Sequence, residues 1–200
     1  MWKTYVQGLL DYGSQVWCPI DGSLIAHLET TQRVYTIQTD GLQHLIYWDR
    51  LTEMKILSVQ RRLEHYRIIY LWKILQGIVP NFGIKWDYNE RRGTHIIIPK
   101  SNYKHSAMAA RMRSQSLVVH GGRIFNLLPS ELRNCKDSME IFKSLLDTFL
   151  EQIPDHPVSP GLTPVPIDPV SNRHSNSLYD WLRYLKLSDR KLTEKDSYSL

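Results

Sequence analysis

The chain has 200 residues, 42% hydrophobic and 22% charged, with two Cys and a formal charge of +5. This suits one soluble domain with a tail, and two Cys are too few for a disulfide framework or a zinc site. No run nears the 18 apolar residues of a membrane helix, and Asp11 interrupts the apolar start before a signal-peptide core can form, so a reducing intracellular setting, with no secretion and no membrane, is expected.

In chain order, residues 1–17 place Trp2, Val6, Leu9 and Leu10 on a helical face. Cys18 to Ser23, with Pro19 and Gly22, reads as a turn. Leu24 to Gln38 reads as a second helix with Leu24, Leu28, Val34 and Ile37 as core positions. Leu51 to Gly77, free of Pro and with Gly only at its end, is the expected central helix. Asp49 is a candidate N-cap; alternatively Ser58 starts a second segment and leaves a kink near Leu57. On this helix Leu63, Tyr66, Tyr70 and Ile74 share one face, and Ile68, Leu71, Trp72 and Leu75 share another. Two apolar faces require two covering neighbours. The strip between them, with Arg61, Arg62, His65 and Lys73, is expected to face solvent or a polyanion. Arg67, between the apolar faces, is expected in a buried ion pair with Glu29 or Asp49.

Beyond Gly77, Ile84 to Pro99 is less regular, with Thr94 to Ile98 able to pair as a short strand. A turn at Pro129 precedes a short helical piece, and Asp137 or Ser138 caps a helix from Met139 to Gln152. Its stripe of Ile141, Phe142, Leu145, Leu146 and Phe149 is expected to close the domain against the first helices. After Ile153 the composition shifts, with six of the ten Pro between residues 154 and 169. An extended linker is expected there, followed by a polar tail with a short helix at 178–187.

Charge is uneven along the chain. Lys and Arg outnumber Asp and Glu twelve to four over residues 51–115, a footprint that fits RNA, DNA or an anionic membrane and equally a solvated surface. Gly121-Gly122-Arg123 lacks the full phosphate-binding glycine pattern and its Lys, and reads as a plain turn. Trp17, Trp48 and Trp72 read as core residues rather than base-stacking platforms. His27, His44 and His65 lack metal-ligand spacing, and His105, His120 and Asp137 come with no spaced nucleophile and base, so no catalytic or metal residue is assigned.

Several segments carry a family resemblance. Tyr12 to Trp17 followed by Pro19, Leu28 to Arg33, Tyr47 to Leu51, Gln60 to Arg62 and Arg67 to Gly77 stand in one order. Phe125 to Pro129, Leu132 to Asn134, Phe142-Lys143, Leu146 to Leu150, Ile153 to Asp155 and Ser175 to Leu178 follow. Over about residues 5–182 this order and spacing resembles the region downstream of the palm in LINE-type, non-LTR retrotransposon reverse transcriptases. Departures are Ile124-Phe125-Asn126 where that family has Leu-Trp-Asn, and the absence of any Asp-Asp pair, which in the palm supplies the carboxylates for two metal ions.

The resemblance implies the thumb and post-thumb portion of a longer RNA-directed DNA polymerase, with Met1 an internal methionine. The expected fold is mostly α: a helical thumb-like region over 1–153 with a short irregular or β segment, a Pro-rich flexible linker over 154–177, and a mostly disordered tail over 178–200. No catalysis and no cofactor are expected in this chain, because magnesium belongs to the missing palm. Its partners are the RNA template or RNA–DNA hybrid and that palm. Backbone neutralisation needs Lys and Arg, so the candidates are Arg61, Arg62 and Lys73 on the central helix, with Arg91, Arg92, Lys100, Lys104, Arg111 and Arg113 extending the track. The alternatives are a free-standing helical protein-interaction module and a decayed reading frame without function.

Overall fold

A computed structural model describes residues 6–19, 21–100, 106–156 and 176–186. The fold is mostly α-helical with one two-stranded antiparallel sheet, matching the expected class. At the N-terminus Gly13 takes φ 68°, which splits the expected first helix into α1 (Gln7–Asp11) and α2 (Ser14–Trp17). Leu9 is exposed rather than core, and Trp2 lies outside the described residues.

Helix α3 (Gly22–Ile37) starts at Asp21, whose carboxylate accepts the Ser23 N–H at 2.8 Å. Its inward face is not the expected one. Ile25, Glu29, Gln32 and Thr36 are buried, whereas Leu24, Val34 and Ile37 are exposed. Each buried polar group on that face has a partner. Glu29 accepts from the Tyr47 hydroxyl and from the Gln60 N–H at 3.1 Å. Gln32 donates to the Leu57 carbonyl at 2.9 Å, and Thr36 Oγ1 accepts from Arg50 Nε at 3.2 Å. Satisfied polar groups can be buried, so this face turns inward although it is the less apolar one.

The central run is two helices. α4 (Tyr47–Glu53) contains Asp49 in its first turn, and α5 (Val59–Leu75) begins at Ser58, whose Oγ accepts the Arg61 N–H at 3.1 Å. Between them Lys55 adopts φ 50°, so Ser58 rather than Asp49 is the cap and the break lies at 54–58. Two clusters cover α5. Val59 and Leu63 pack with Cys18 and Ile25. Ile68, Leu71, Trp72 and Ile74 belong to the larger core with Ile84, Ile96, Phe125, Phe142 and Leu146. Each such aliphatic, fully buried, stabilises the fold by about 1.5–3 kcal/mol relative to exposure.

Strands β1 (Lys85–Asn89) and β2 (Gly93–Ile97) pair in the register Lys85↔Ile97 through Asn89↔Gly93, confirming the short strand read at Thr94 to Ile98. The outer edge of β2 is closed by side chains in place of a third strand. Asn126 accepts the Ile96 N–H at 2.8 Å and donates to the Ile96 carbonyl at 2.9 Å, and Asn134 accepts the Thr94 N–H at 2.8 Å.

Next come α6 (Ala107–Gln115), a π-helical turn (Leu117–Gly121), α7 (Gly122–Leu127) and α8 (Ser130–Asn134). Gly121 and Gly122 are therefore helical, not the plain turn expected. A Cβ at Gly121 would lie 3.0 Å from Leu71 Cδ1, and one at Gly122 3.2 Å from Ile96 Cγ2. The pair of glycines lets α5 and β2 close on the same helix.

Helix α9 (Met139–Glu151) is capped by Ser138, which accepts the Ile141 N–H at 3.3 Å. Phe142, Leu146 and Leu150 are its buried row, while Ile141 and Leu145 are exposed. Phe142 stacks on Trp72 with ring centroids 4.7 Å apart. The helix thus closes the larger core around α5, not the N-terminal helices. A further helix, α10 (178–186), buries Leu178, Trp181 and Leu182 in that core. The expected short helix is present, but as an integral layer of the domain and not as part of a disordered tail. The linker residues 157–175 and the end of the tail lie outside the described residues.

Candidate nucleic-acid interface

The basic residues of α5 face inward. Arg61 is 0% exposed; its Nη2 donates to the Pro154 carbonyl at 2.8 Å and its Nε lies 3.8 Å from Asp155 Oδ1. Burial lowers its pKa from the ordinary value, opposed by Asp155 and Glu64. Arg62, also buried, donates to Asp11 at 2.7 Å and to Gln32 Oε1 at 3.0 Å. Both guanidiniums hold the domain together, which removes Arg61 and Arg62 from the candidate interface. Their partners Asp11 and Asp155 lie far apart in sequence and bring α1 and the segment after α9 against the same helix.

Arg67 is buried as expected, but with different partners. It donates to the Ser14 carbonyl at 3.3 Å and the Cys18 carbonyl at 3.4 Å, so it caps α2 rather than pairing with Glu29 or Asp49. His65, from the same strip, lies 2.9 Å from Asp147 on α9. Lys73 is half-buried in the last turn of α5.

The remaining candidates lie beyond α5. Arg91 and Arg92 are exposed at the β1–β2 turn, shaped by Asn89, whose Oδ1 accepts the Arg91 N–H at 2.9 Å. Arg92 pairs with Asp87 at 3.4 Å. Lys100 is exposed just past β2. On α6, Arg111 is exposed and pairs with Asp21 at 2.9 Å, while half-buried Arg113 donates to the Pro99 carbonyl. Lys104 lies outside the described residues. The hairpin turn and α6 thus hold separate groups of cations, with Lys100 in the stretch of chain between them.

Three further basic residues were not among the candidates, Arg123 having been set aside with the Gly121-Gly122 turn. Lys85 and Arg123 are exposed, on β1 and α7. Arg133 on α8 donates to the Thr94 carbonyl at 3.0 Å and to the Leu128 carbonyl at 2.9 Å. His95 on β2 has its pKa lowered by burial, opposed by Asp87 and reinforced by Arg92 and Arg133, which places three basic side chains around the hairpin. The signal for Arg133 was present only in its position after the Pro129 turn, where it can reach back to β2.

A second cluster is internal. Glu64, 1% exposed, accepts from Ser177 Oγ at 2.7 Å and from the Leu178 N–H at 2.6 Å, and lies 3.8 Å from His120. Asp155 accepts from the Ser58 N–H at 2.6 Å, from Ser58 Oγ at 2.7 Å and from Asn176 at 3.1 Å. Burial holds these groups away from solvent, and they fasten α10 to α5. Among the described residues, no three His, Cys, Asp or Glu side chains converge as a metal site would require, and no helix is long and apolar enough to cross a membrane.

A different surface exposes apolar groups. Leu9, Tyr12, Val16, Leu24, Val34, Ile37 and Ile46 are all exposed on the N-terminal helices and the approach to α4. Shallow open concavities lie along the outer face of α3, at Ala26, Thr30 and Val34, and beside α1 and α2, at Asp11, Tyr12 and Tyr66. Compared with family models, curated proteins and solved structures, the chain matches none.

Proposed function

We propose that this chain is a non-catalytic portion of a LINE-type, non-LTR RNA-directed DNA polymerase, and that it grips the backbone of the RNA template or RNA–DNA hybrid. The observation that carries this reading is the order of the resembling segments along the chain, joined to exposed cations on the β1–β2 hairpin, past β2 and on α6. Of the candidates, Arg91, Arg92, Lys100 and Arg111 reach solvent there. Phosphate neutralisation asks for cations without base-reading geometry, which these positions supply. Nucleotidyl transfer and its magnesium ions belong to the palm, and a cytoplasmic or nuclear setting follows from the same reading.

The test is arginine footprinting by phenylglyoxal and mass spectrometry. A bound RNA–DNA hybrid protects Arg91, Arg92 and Arg111 from modification, while Arg61 and Arg67 stay unreactive with or without it. A modification pattern that the hybrid leaves unchanged contradicts the proposal.

A second reading rests on the exposed apolar residues of α1 to α3. Exposed contiguous apolar surface is a protein-docking signal. In the polymerase reading this surface meets the palm; in a free-standing module it meets another protein. Concentration-dependent self-association without any hybrid affinity favours the module.

A further inference from the structure

The hairpin carries more than phosphate-binding charge. Strand β1 is exposed at all five positions, and alternate residues of a strand share a face. Trp86 and Tyr88 therefore lie on one face, across from Ile96 and Thr94. Ile96 is buried in the larger core, yet Trp86 remains 40% exposed and Tyr88 64% exposed. Phe82, exposed in the loop leading to β1, adds a third ring nearby in sequence. The outer edge of β2 is closed by Asn126 and Asn134, so the aromatic row lies along the strand opposite that closed edge.

Cations fringe this row. Arg91 and Arg92 occupy the turn two and three residues beyond Asn89, Arg92 reaching Asp87, while Arg133 is held at the outer edge of β2 by the Thr94 carbonyl. The hairpin's carboxylates are Asp87 and Glu90. Asp87 alternates to the opposite face, paired across from His95, and contacts Arg92 and His95. Exposed aromatic rings beside Arg side chains suit unpaired bases, because every base has a π-face and a stacked base leaves its phosphate free for a cation. A duplex buries those faces within its own stack.

We infer that the aromatic face of β1 binds single-stranded RNA or DNA, stacking unpaired bases on Trp86 and Tyr88 with their phosphates toward the turn arginines Arg91 and Arg92. This rests on the nucleic-acid reading above and specifies its ligand as a single strand. Trp86 and Tyr88 are specificity-setting binding residues in this account, and the arginines are common to both ligands.

The test is fluorescence anisotropy of the full chain with labelled oligouridine, oligothymidine and an RNA–DNA hybrid of equal length. Trp86→Ala and Tyr88→Ala each weaken single-strand binding by about tenfold and leave hybrid binding within twofold. Tyr88→Phe keeps wild-type single-strand affinity, since the ring is retained. Equal affinity for both homopolymers assigns the contact to stacking alone, and a preference for oligouridine adds the 2′-hydroxyl to it. Thermal melting checks that each variant is folded, and Tyr88, the more exposed ring, carries the test if Trp86→Ala does not fold. Hybrid binding with single-strand binding unaffected by either Ala variant overturns this inference and leaves the polymerase reading standing. Binding of neither ligand overturns both. A dimer in sedimentation that Tyr88→Ala abolishes, with no oligonucleotide binding, reassigns the face to a second copy of the chain and overturns the inference.

Discussion

Glu64 on α5 and Leu178 at the start of α10 are 114 residues apart, and the carboxylate of the first accepts the backbone N–H of the second at 2.6 Å. A helix N-terminus leaves N–H groups unpaired, and here a residue of another helix supplies the acceptor. Burial pushes the Glu64 carboxyl up to about 7, tempered by the Leu178 and Ser177 hydrogen bonds. His120, 3.8 Å away, is pushed down to about 3 by burial, then by Arg67 and Arg123.

The two groups act on stability with opposite signs. The raised Glu64 value gives stability that is present below the ordinary carboxylate value of 4.5 and lost as pH rises through about 7. The depressed His120 value gives stability present above 6.5 and lost as pH falls through about 3. Glu64→Gln removes the first effect and keeps an acceptor for Leu178. Relative to wild type, the variant gains on the order of 2 kcal/mol between pH 5 and pH 8, read from urea midpoints at the two values. A constant difference across that range contradicts the assignment.

Arg61→Glu acts on folding before it acts on any ligand. Breaking one side of a buried ion pair costs about 3–5 kcal/mol, and the introduced carboxylate meets Asp155 and Glu64. Asp155→Ala loses a similar amount, because Ser58 and Asn176 lose their acceptor and buried Arg61 loses its counter-ion. Circular dichroism during urea denaturation measures both. A folded Arg61→Glu protein of wild-type stability contradicts the packing described.

These arginines also show where sequence reasoning stops. A helical wheel marks Arg61 and Arg62 as a polar strip, but their partners Asp155 and Asp11 lie far away in sequence. No local pattern reveals that the strip is covered. The same limit misplaced α3: Leu24, Val34 and Ile37 are more apolar than Glu29, Gln32 and Thr36, and only the hydrogen bonds with Tyr47, Leu57 and Arg50 explain which row turns inward. Features set by neighbours in the chain were legible. Ser58 and Ser138 cap the helices after them, β2 forms where β-branched residues cluster, and Phe142 and Leu146 keep the helical period into the core. Of the candidate cations, Arg91, Arg92, Lys100 and Arg111 are exposed, and they lie in irregular or short elements.

Trp72 joins α5 to two other elements at once. It stacks on Phe142, and its Nε1 donates to the Cys135 carbonyl at 2.8 Å. Trp72→Ala costs about 3–5 kcal/mol, measured by chemical denaturation, and Trp72→Phe costs less because the stack survives. A loss below about 1 kcal/mol for the Ala variant contradicts the central place given to this ring.

Gly93 begins β2 at φ 72°, and a Cβ there would lie 2.6 Å from Asn134 Nδ2 and Oδ1. Gly93→Ala therefore strains the backbone and displaces the amide that holds the Thr94 N–H. A cost of about 1–3 kcal/mol is expected, together with faster hydrogen exchange at Thr94. Unchanged exchange at that amide contradicts the edge closure by Asn134.

The central claim is that exposed cations on the hairpin and α6 neutralise nucleic-acid phosphates, and the salt dependence of hybrid binding tests it most directly. The log of the association constant is predicted to fall linearly with log salt concentration. An Arg91→Ala, Arg92→Ala and Arg111→Ala triple variant, folded by thermal melting, is predicted to lower that slope by about 0.7–0.9 for each phosphate it no longer neutralises. A slope identical in wild type and variant, or no hybrid binding at low salt, contradicts the account.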